Sequence, residues 1–179
     1  LYENAALHLA TRAAEAALHD SHTAADEISQ LVTVSCTGFA APGVDIGLVE
    51  RLGLSRTVSR THIGFMGCHG ALNGLRVAYA LSHAVPGGKV LLCCVELCTV
   101  HHQYAANAQQ TVANALFSDG AAAIVATAGD RSQSQWQVAD HFSFLLPKTA
   151  ELMSWHIGDH GFKLRLSPQV PGIIEKQLR

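Results

Sequence analysis

The sequence predicts an α/β fold in which helices cover both faces of a β-sheet. Two short runs, Val90 to Val95 and Ala121 to Val125, contain only apolar residues. Strands that are covered on both sides have this composition. An alanine-rich segment with helical spacing over residues 3–20 precedes Leu31 to Val34, which is predicted to be a short buried strand. Helical and strand patterns therefore alternate along the first part of the chain.

The intervening segments complete this alternation. Gly38, Pro42 and Gly43 interrupt the stretch from Cys36 to Asp45 and predict a loop. A short helix then ends at Gly53. Residues 57–65 suit a strand. After the segment Gly64 to Ala71, a helix runs to about Ala84, and Pro86-Gly87-Gly88 closes it.

The pattern changes beyond Gly129. Gln135 to Leu146 predicts a long strand, and Phe162 to Leu166 alternates in the same way. Ser167 and Pro168 then introduce a final helix.

Composition excludes several classes of protein. Twelve Lys and Arg residues against 14 Asp and Glu residues give a net charge of −2, and only 15% of residues are charged. A disordered chain combines low hydrophobicity with high charge, which excludes it here, and a nucleic-acid binder is usually basic, so the composition does not support one. No apolar run reaches the length of about 18 residues that a membrane span requires. The methionines are Met66 and Met153, so we expect the 179 residues to be a piece of a longer protein.

Cysteine and histidine usage points to a cytoplasmic protein without a metal. The five cysteines are an odd number and form no Cys-x-x-Cys pair, which argues against a disulfide scaffold and a structural zinc site. Reduced thiols are typical of the cytoplasm. The 11 histidines are scattered and show no known ligand spacing. We therefore expect no metal and no cofactor.

Cys68 is the strongest candidate for a chemical role. It lies between Gly67 and His69-Gly70, where a predicted strand meets a predicted helix. The positive end of a helix dipole and its free N–H groups favour a nucleophilic thiolate. The alternative is a buried thiol that packs as a small hydrophobic side chain. His69 is a poor candidate for its base, because adjacent side chains on a helix point in different directions.

Five segments in register resemble the type III polyketide synthases, the chalcone synthase-like branch of the thiolase superfamily. The last two resemble the bacterial alkylpyrone and alkylresorcinol synthases in particular. The resemblance covers nearly the whole chain, and its segments are Ser35 to Asp45, Gly64 to Ala71, Ala115 to Ala123, Met153 to Phe162 and Leu166 to Pro171.

The resemblance implies a thiolase-like αβαβα sandwich built from two similar halves. Residues 1–179 would form the N-terminal half of this chalcone/stilbene synthase-like fold, with the C-terminal half absent. Members of this family are homodimers. A half of such a fold would expose an apolar face on its own.

The resemblance also implies an acyltransferase. In the family, a cysteine that matches Cys68 takes an acyl group from a CoA starter as a thioester. Malonyl-CoA then loses CO₂, and the resulting carbanion attacks the thioester. Repeated extension gives a polyketide that closes to a pyrone or resorcinol-type ring. Acyl-CoA and malonyl-CoA are thus the implied substrates.

Four further residues match positions around the family's substrate cavity. Phe117 matches the gatekeeper phenylalanine, and an apolar wall there would exclude water from the carbanion. Cys98 and His101 match residues that line the initiation and elongation cavity, and Cys36 matches its floor. For each of the four, ordinary packing is the alternative. Cys93 and Cys94 lie on an apolar strand and are expected to be buried.

The chain departs from the family in what it contains. The histidine and asparagine that polarise the malonyl thioester match no position before Arg179. We therefore expect no turnover of malonyl-CoA by these 179 residues alone. Two alternatives remain open: a non-catalytic thiolase-like module that binds acyl chains, and a ketoacyl-carrier-protein synthase III.

Overall fold

The computed structural model describes residues 1–104, 108–129 and 136–177. The chain divides into two compact units, Leu1–Leu97 with Asp119–His141, and Cys98–Ser118 with Phe142–Arg179. Among the described residues, no helix is both long and apolar enough to cross a membrane. Within the same ranges, no three His, Cys, Asp or Glu side chains are grouped as metal ligands would be.

In the described residues of the first unit, a four-stranded sheet packs with three helices. The strands lie in the order β2-β1-β3-β4, with β1 parallel to both neighbours and β4 antiparallel to β3. The parallel strands β1, β2 and β3 therefore end at the same edge. The elements are α1 (Tyr2–Asp20), β1 (Ile28–Ser35), α2 (Val44–Leu52), β2 (Ser59–Gly64), α3 (Gly70–Ala84), β3 (Lys89–Glu96) and β4 (Gly120–Thr127).

Helices cover both faces of this sheet, as predicted. On one face the Cys93 thiol lies 3.7 Å from the carbonyl oxygen of Ala10, in α1. On the other face, Ala78 of α3 packs in a core cluster of apolar side chains from β1 and β3. Successive strand residues point to opposite faces, and residues 31–35 of β1 and 90–93 of β3 are buried without interruption, so both strands are covered on both faces. The α/β prediction is confirmed.

The prediction that β4 is covered on both faces is wrong for the described part of the chain. Residues along β4 are alternately exposed and half-buried, and Ile124 is 41% exposed. In the four-stranded sheet β4 is an edge strand, bonded to β3 alone. The small side chains of Ala121 to Ala123 fit a buried face and a solvent-exposed face equally well. The composition of β4 therefore does not determine whether its faces are covered.

Two helices and a β-hairpin make up the described part of the second unit. Its elements are α4 (Ala108–Leu116), β5 (Met153–Gly158), β6 (Gly161–Leu166) and α5 (Val170–Gln177). Strands β5 and β6 pair antiparallel. The strand at residues 162–166 and the final helix are confirmed, whereas β5 was not expected.

The predicted strand from Gln135 to Leu146 is wrong over residues 136–146, and Gln135 lies outside the described residues. Residues 136–146 have no regular secondary structure. Their apolar alternation satisfies the period of a strand, but no described strand pairs with them. Trp136, Phe142 and Leu145 are largely exposed. An alternating pattern of apolar residues predicts which side chains would share one face of a strand. It does not predict whether a neighbouring strand is present to form the hydrogen bonds.

Candidate active site

Cys68 lies on a sharp turn that joins the end of β2 to the start of α3. A 3₁₀ turn, Gly67–His69, separates the two elements and carries Cys68 at its centre. The thiol is exposed. The alternative that Cys68 packs as a buried hydrophobic side chain is therefore wrong.

The backbone of this turn is unusual at two positions. Gly67 has φ = 60°, a conformation that glycine adopts without steric cost. Phe65 has φ = 59°, which is uncommon for a bulky side chain. A tight strand-to-helix turn of this kind lifts one side chain clear of the sheet edge, a geometry also found in hydrolases whose nucleophile lies at such a junction. The geometry presents Cys68 at the carboxyl end of the parallel strands.

Two glycines bring α3 close to the sheet and so fix where the turn begins. A β-carbon on Gly70 would lie 2.9 Å from Val34, and one on Gly74 would lie 2.8 Å from Leu92 and 3.0 Å from Val34. These distances are too short for carbon atoms in contact. The first turns of α3 therefore rest directly on β1 and β3.

Cys36 lies beside this turn, directly after β1. Its thiol is within 3.7 Å of the carbonyl oxygen of Gly67, the residue before Cys68. Burial raises the pKa of Cys36, and the nearby Glu96 carboxylate raises it further. Cys36 therefore stays a neutral thiol at neutral pH. The structure brings Cys36 and the turn that carries Cys68 together.

Glu96, the last residue of β3, forms hydrogen bonds to the residues that follow β1. The sequence did not predict a role for it. Its carboxylate accepts hydrogen bonds from the backbone N–H of Cys36 at 2.9 and 3.0 Å and from the Thr37 hydroxyl at 2.7 Å. The Thr37 hydroxyl in turn accepts the backbone N–H of Leu97 at 2.8 Å. The available signal was slight: one charged residue at the end of an apolar strand.

The remaining cysteines of the first unit are structural. Cys93 is fully buried, as expected, whereas Cys94 is half-buried. Burial raises the pKa of Cys93 to about 12 and that of Cys94 to about 11. Both side chains are neutral thiols packed in the sheet.

Cys98 and His101 lie in the second unit, together in one 3₁₀ turn, Cys98–His101. The His101 ring stacks on Phe162 with centroids 3.8 Å apart. The backbone N–H of Phe162 donates to His101 Nδ1 at 3.2 Å. An Nδ1 that accepts a hydrogen bond carries no proton, so the neutral ring carries its hydrogen on Nε2. Trp155 stacks on Phe162 in turn, with centroids 4.1 Å apart.

Phe117 also belongs to the second unit, directly after α4. It is half-buried, and its backbone N–H donates to the carbonyl oxygen of Ala113 at 3.0 Å. The described contacts of α4 include a hydrogen bond from Asn114 to the carbonyl oxygen of Gln103. The roles of Phe117, Cys98, His101 and Cys36 around a substrate remain predictions.

The first 130 residues match the family model of chalcone and stilbene synthases, N-terminal domain. The chain therefore belongs to the chalcone and stilbene synthase family, which comprises the type III polyketide synthases. The resemblance drawn from the five sequence segments is confirmed.

Two curated relatives cover nearly all of the chain. It is 36% identical over 178 residues to the "Alpha-pyrone synthesis polyketide synthase-like Pks18" of Mycobacterium tuberculosis, matching 97% of this chain and 45% of that protein. It is 37% identical over 177 residues to a 1,3,6,8-tetrahydroxynaphthalene synthase of Streptomyces peucetius, matching 96% of this chain and 46% of the relative. The chain thus spans about half the length of these relatives.

Solved structures show the same fold. The C-terminal type III polyketide synthase domain of Steely1, a type I/III hybrid from Dictyostelium, superimposes with a TM-score of 0.93 at 30% identity, covering 99% of this chain and 49% of that one. PKS-I from the brown alga Ectocarpus siliculosus gives 0.93 at 36% identity, covering 99% and 48%. The mixed α/β, thiolase-like fold is confirmed.

Proposed function

We propose that this chain supplies the acyl-accepting part of a type III polyketide synthase and that Cys68 is the residue acylated. One observation carries the proposal: an exposed thiol stands on a tight strand-to-helix turn at the carboxyl edge of three parallel strands. Ligands of α/β proteins commonly bind at this edge. Family membership supports the same chemistry.

The proposed reaction has two steps. The Cys68 thiolate attacks the carbonyl carbon of an acyl-CoA, a new C–S bond forms, and CoA leaves as its thiolate. Malonyl-CoA then loses CO₂, and its carbanion attacks the Cys68 thioester, so that a C–C bond forms and the Cys68 thiolate is released. A thiol suits both steps, because it is a good nucleophile and a good leaving group.

The other predicted site residues are proposed to shape the substrate cavity. Phe117 would supply an apolar wall, and Cys98 and His101 would line the path of the growing chain. Cys36 would contribute a neutral thiol to the floor, because its raised pKa keeps it from competing with Cys68 as a nucleophile. A pyrone or resorcinol-type product, a homodimer and a cytoplasmic location complete the proposal.

We expect this chain to carry out acylation without the condensation step. The 179 residues include Cys68 but no match to the family's histidine and asparagine. We therefore expect the chain to accept an acyl group without extending it.

The test is to incubate the chain with a long-chain acyl-CoA and to map the adduct by mass spectrometry. We expect the acyl group on Cys68, and none after Cys68→Ala. Cys94→Ala, which changes a half-buried thiol of the sheet, serves as the matched control and should still be acylated. An adduct on another residue, or acylation of the Cys68→Ala variant, would contradict the proposal.

Assays of a protein that also carries the family's histidine and asparagine distinguish the remaining alternatives. A polyketide synthase converts malonyl-CoA to a pyrone or resorcinol, whereas a ketoacyl-carrier-protein synthase III requires malonyl carrier protein. A non-catalytic module binds acyl-CoA reversibly and forms no covalent adduct.

A further inference from the structure

Phe65 occupies a backbone conformation that its side chain disfavours. It follows Gly64, the last residue of β2, and lies two positions before the 3₁₀ turn begins at Gly67 and three positions before Cys68. Its φ of 59° lies in the left-handed region, where a β-carbon crowds the following carbonyl oxygen. Gly67 adopts φ = 60° in the same turn without that crowding. Something outside the local backbone must therefore favour this conformation at Phe65.

The Phe65 ring stacks on Phe39. The ring centroids are 5.1 Å apart and the planes are inclined by 26°. Phe39 lies in the loop after β1, and β1 pairs with β2 in a register that places Ser35 opposite Gly64. The two phenylalanines thus leave the same sheet edge on neighbouring strands.

Core burial does not account for the pair. Phe39 is 54% exposed and Phe65 is 58% exposed. Rings that exposed gain less from removal of water than core side chains do, so their mutual geometry contributes a larger share of the interaction. The Cys36 thiol contacts the same turn, at the carbonyl oxygen of Gly67 and at the backbone of Phe65 and Met66, and Gly70 rests on Val34. The stack on Phe39 adds a contact of the Phe65 side chain to these backbone contacts.

We propose that Phe39 and Phe65 are a pair of positioning residues whose stacked rings hold residue 65 in the left-handed conformation and so fix the turn that presents Cys68. The inference concerns the reactivity of the thiol and adds to the proposed function. Neither ring is assigned contact with the substrate. Loss of the stack lets residue 65 relax toward a negative φ, which turns Cys68 away from the start of α3.

The decisive comparison is between Phe65→Ala and Phe65→Gly in the whole 179-residue chain. Both variants remove the ring, but only glycine tolerates a φ near 60° without cost. The readout is the rate of Cys68 alkylation by iodoacetamide, followed by peptide mass spectrometry. We expect Phe65→Ala to react more slowly than Phe65→Gly by about fivefold or more. Equal rates in the two variants would overturn the proposal.

Phe39 provides the second arm. Phe39→Ala should slow alkylation of Cys68 by about three- to tenfold, whereas Phe39→Tyr keeps a ring and should retain the parent rate. Combining Phe39→Ala with Phe65→Gly should restore much of the alkylation rate that Phe39→Ala loses, because glycine adopts a positive φ without the ring stack. An unchanged rate in Phe39→Ala, or no recovery in the double variant, would also overturn the proposal.

Tyr79→Ala is the matched control. Tyr79 forms another exposed ring pair, with His83 on α3, at a centroid distance of 4.3 Å. Its removal should leave the Cys68 rate unchanged. Circular dichroism and the urea midpoint establish that each variant is folded. Because iodoacetamide needs no acyl transfer, a failure of the proposed function leaves this test intact.

Discussion

The carboxylate of Glu96 accepts the backbone N–H of Cys36 with both of its oxygens, at 2.9 and 3.0 Å. Glu96 is the last residue of β3, and Cys36 directly follows β1. One side chain therefore closes the ends of two adjacent parallel strands beside the turn that carries Cys68. Backbone donors that leave a sheet at its edge need such an acceptor when they are buried.

Replacing Glu96 tests this closure. Glu96→Ala should lower the free energy of unfolding by about 1–3 kcal/mol, because the Cys36 N–H and the Thr37 hydroxyl lose their acceptor. Glu96→Gln keeps one acceptor oxygen and should cost less. Urea unfolding measures both variants. Equal stability of Glu96→Ala and the parent chain would show that the closure is not needed for folding.

Gly74→Ala tests the close contact between α3 and the sheet. The added β-carbon would lie 2.8 Å from the Leu92 side chain, which is buried in β3, so either that side chain or the helix must shift. We expect a loss of about 1–3 kcal/mol in urea unfolding. Gly172→Ala in α5 is the control, because its β-carbon would meet nothing within 4 Å. That variant should be neutral or stabilising by up to about 1 kcal/mol.

The buried thiols predict a loss of stability in alkali. Burial raises the pKa of Cys93 to about 12 and that of Cys94 to about 11, from 9.0. Above about pH 9 the unfolded chain loses these protons while the folded chain keeps them, so the free energy of unfolding falls as pH rises. The stability that these two neutral thiols contribute is fully present at neutral pH and is lost progressively toward pH 11 to 12.

Urea unfolding between pH 7 and about pH 10.5 measures this slope. Cys93→Ala should be less stable than the parent at neutral pH, because a packed sulfur is lost. Its stability should nevertheless fall less steeply with rising pH. An identical slope in the variant would exclude ionisation of Cys93 as a cause.

His101 tests the hairpin of the second unit. His101→Ala removes the ring that stacks on Phe162 and leaves the Phe162 N–H without its Nδ1 acceptor. We expect a loss of about 1–3 kcal/mol. His101→Asn places an amide oxygen close to the position of Nδ1 and should recover part of it. Trp155, which stacks on Phe162, provides a local fluorescence signal. Equal unfolding of the two variants would mean that the hydrogen bond contributes little.

The sequence predicts the parts of the fold that composition determines. Predominantly apolar runs predicted β1 and β3, because both faces of each strand are covered in this chain. The same reasoning failed for β4, since a strand of small residues looks alike at the centre and at the edge of a sheet. It also failed at residues 136–146, where the period of a strand is present without a partner.

The candidate site divides in the same way. Cys68 was found because glycines flank it at a strand-to-helix junction, a local signal. Glu96 was missed because its role depends on Cys36 and Thr37, some 60 positions earlier in the chain. The positive φ of Phe65 could not be predicted either, because phenylalanine rarely adopts a left-handed conformation and the sequence contains no signal for it.

The contact of Gly70 and Gly74 with the sheet also determines which motions are open to Cys68. A slide of α3 along β1 and β3 would bring larger side chains, Ala71 or Leu75, over Val34, and the close packing leaves no space for them. The helix is therefore expected to move with the sheet as one body. Displacement of the thiol relative to the sheet then requires rotation about the bonds of residues 65–67. Backbone relaxation measured by NMR would accordingly show order in α3 up to its first residue, and loss of the Phe39–Phe65 stack would bring exchange at the three residues before Cys68 alone.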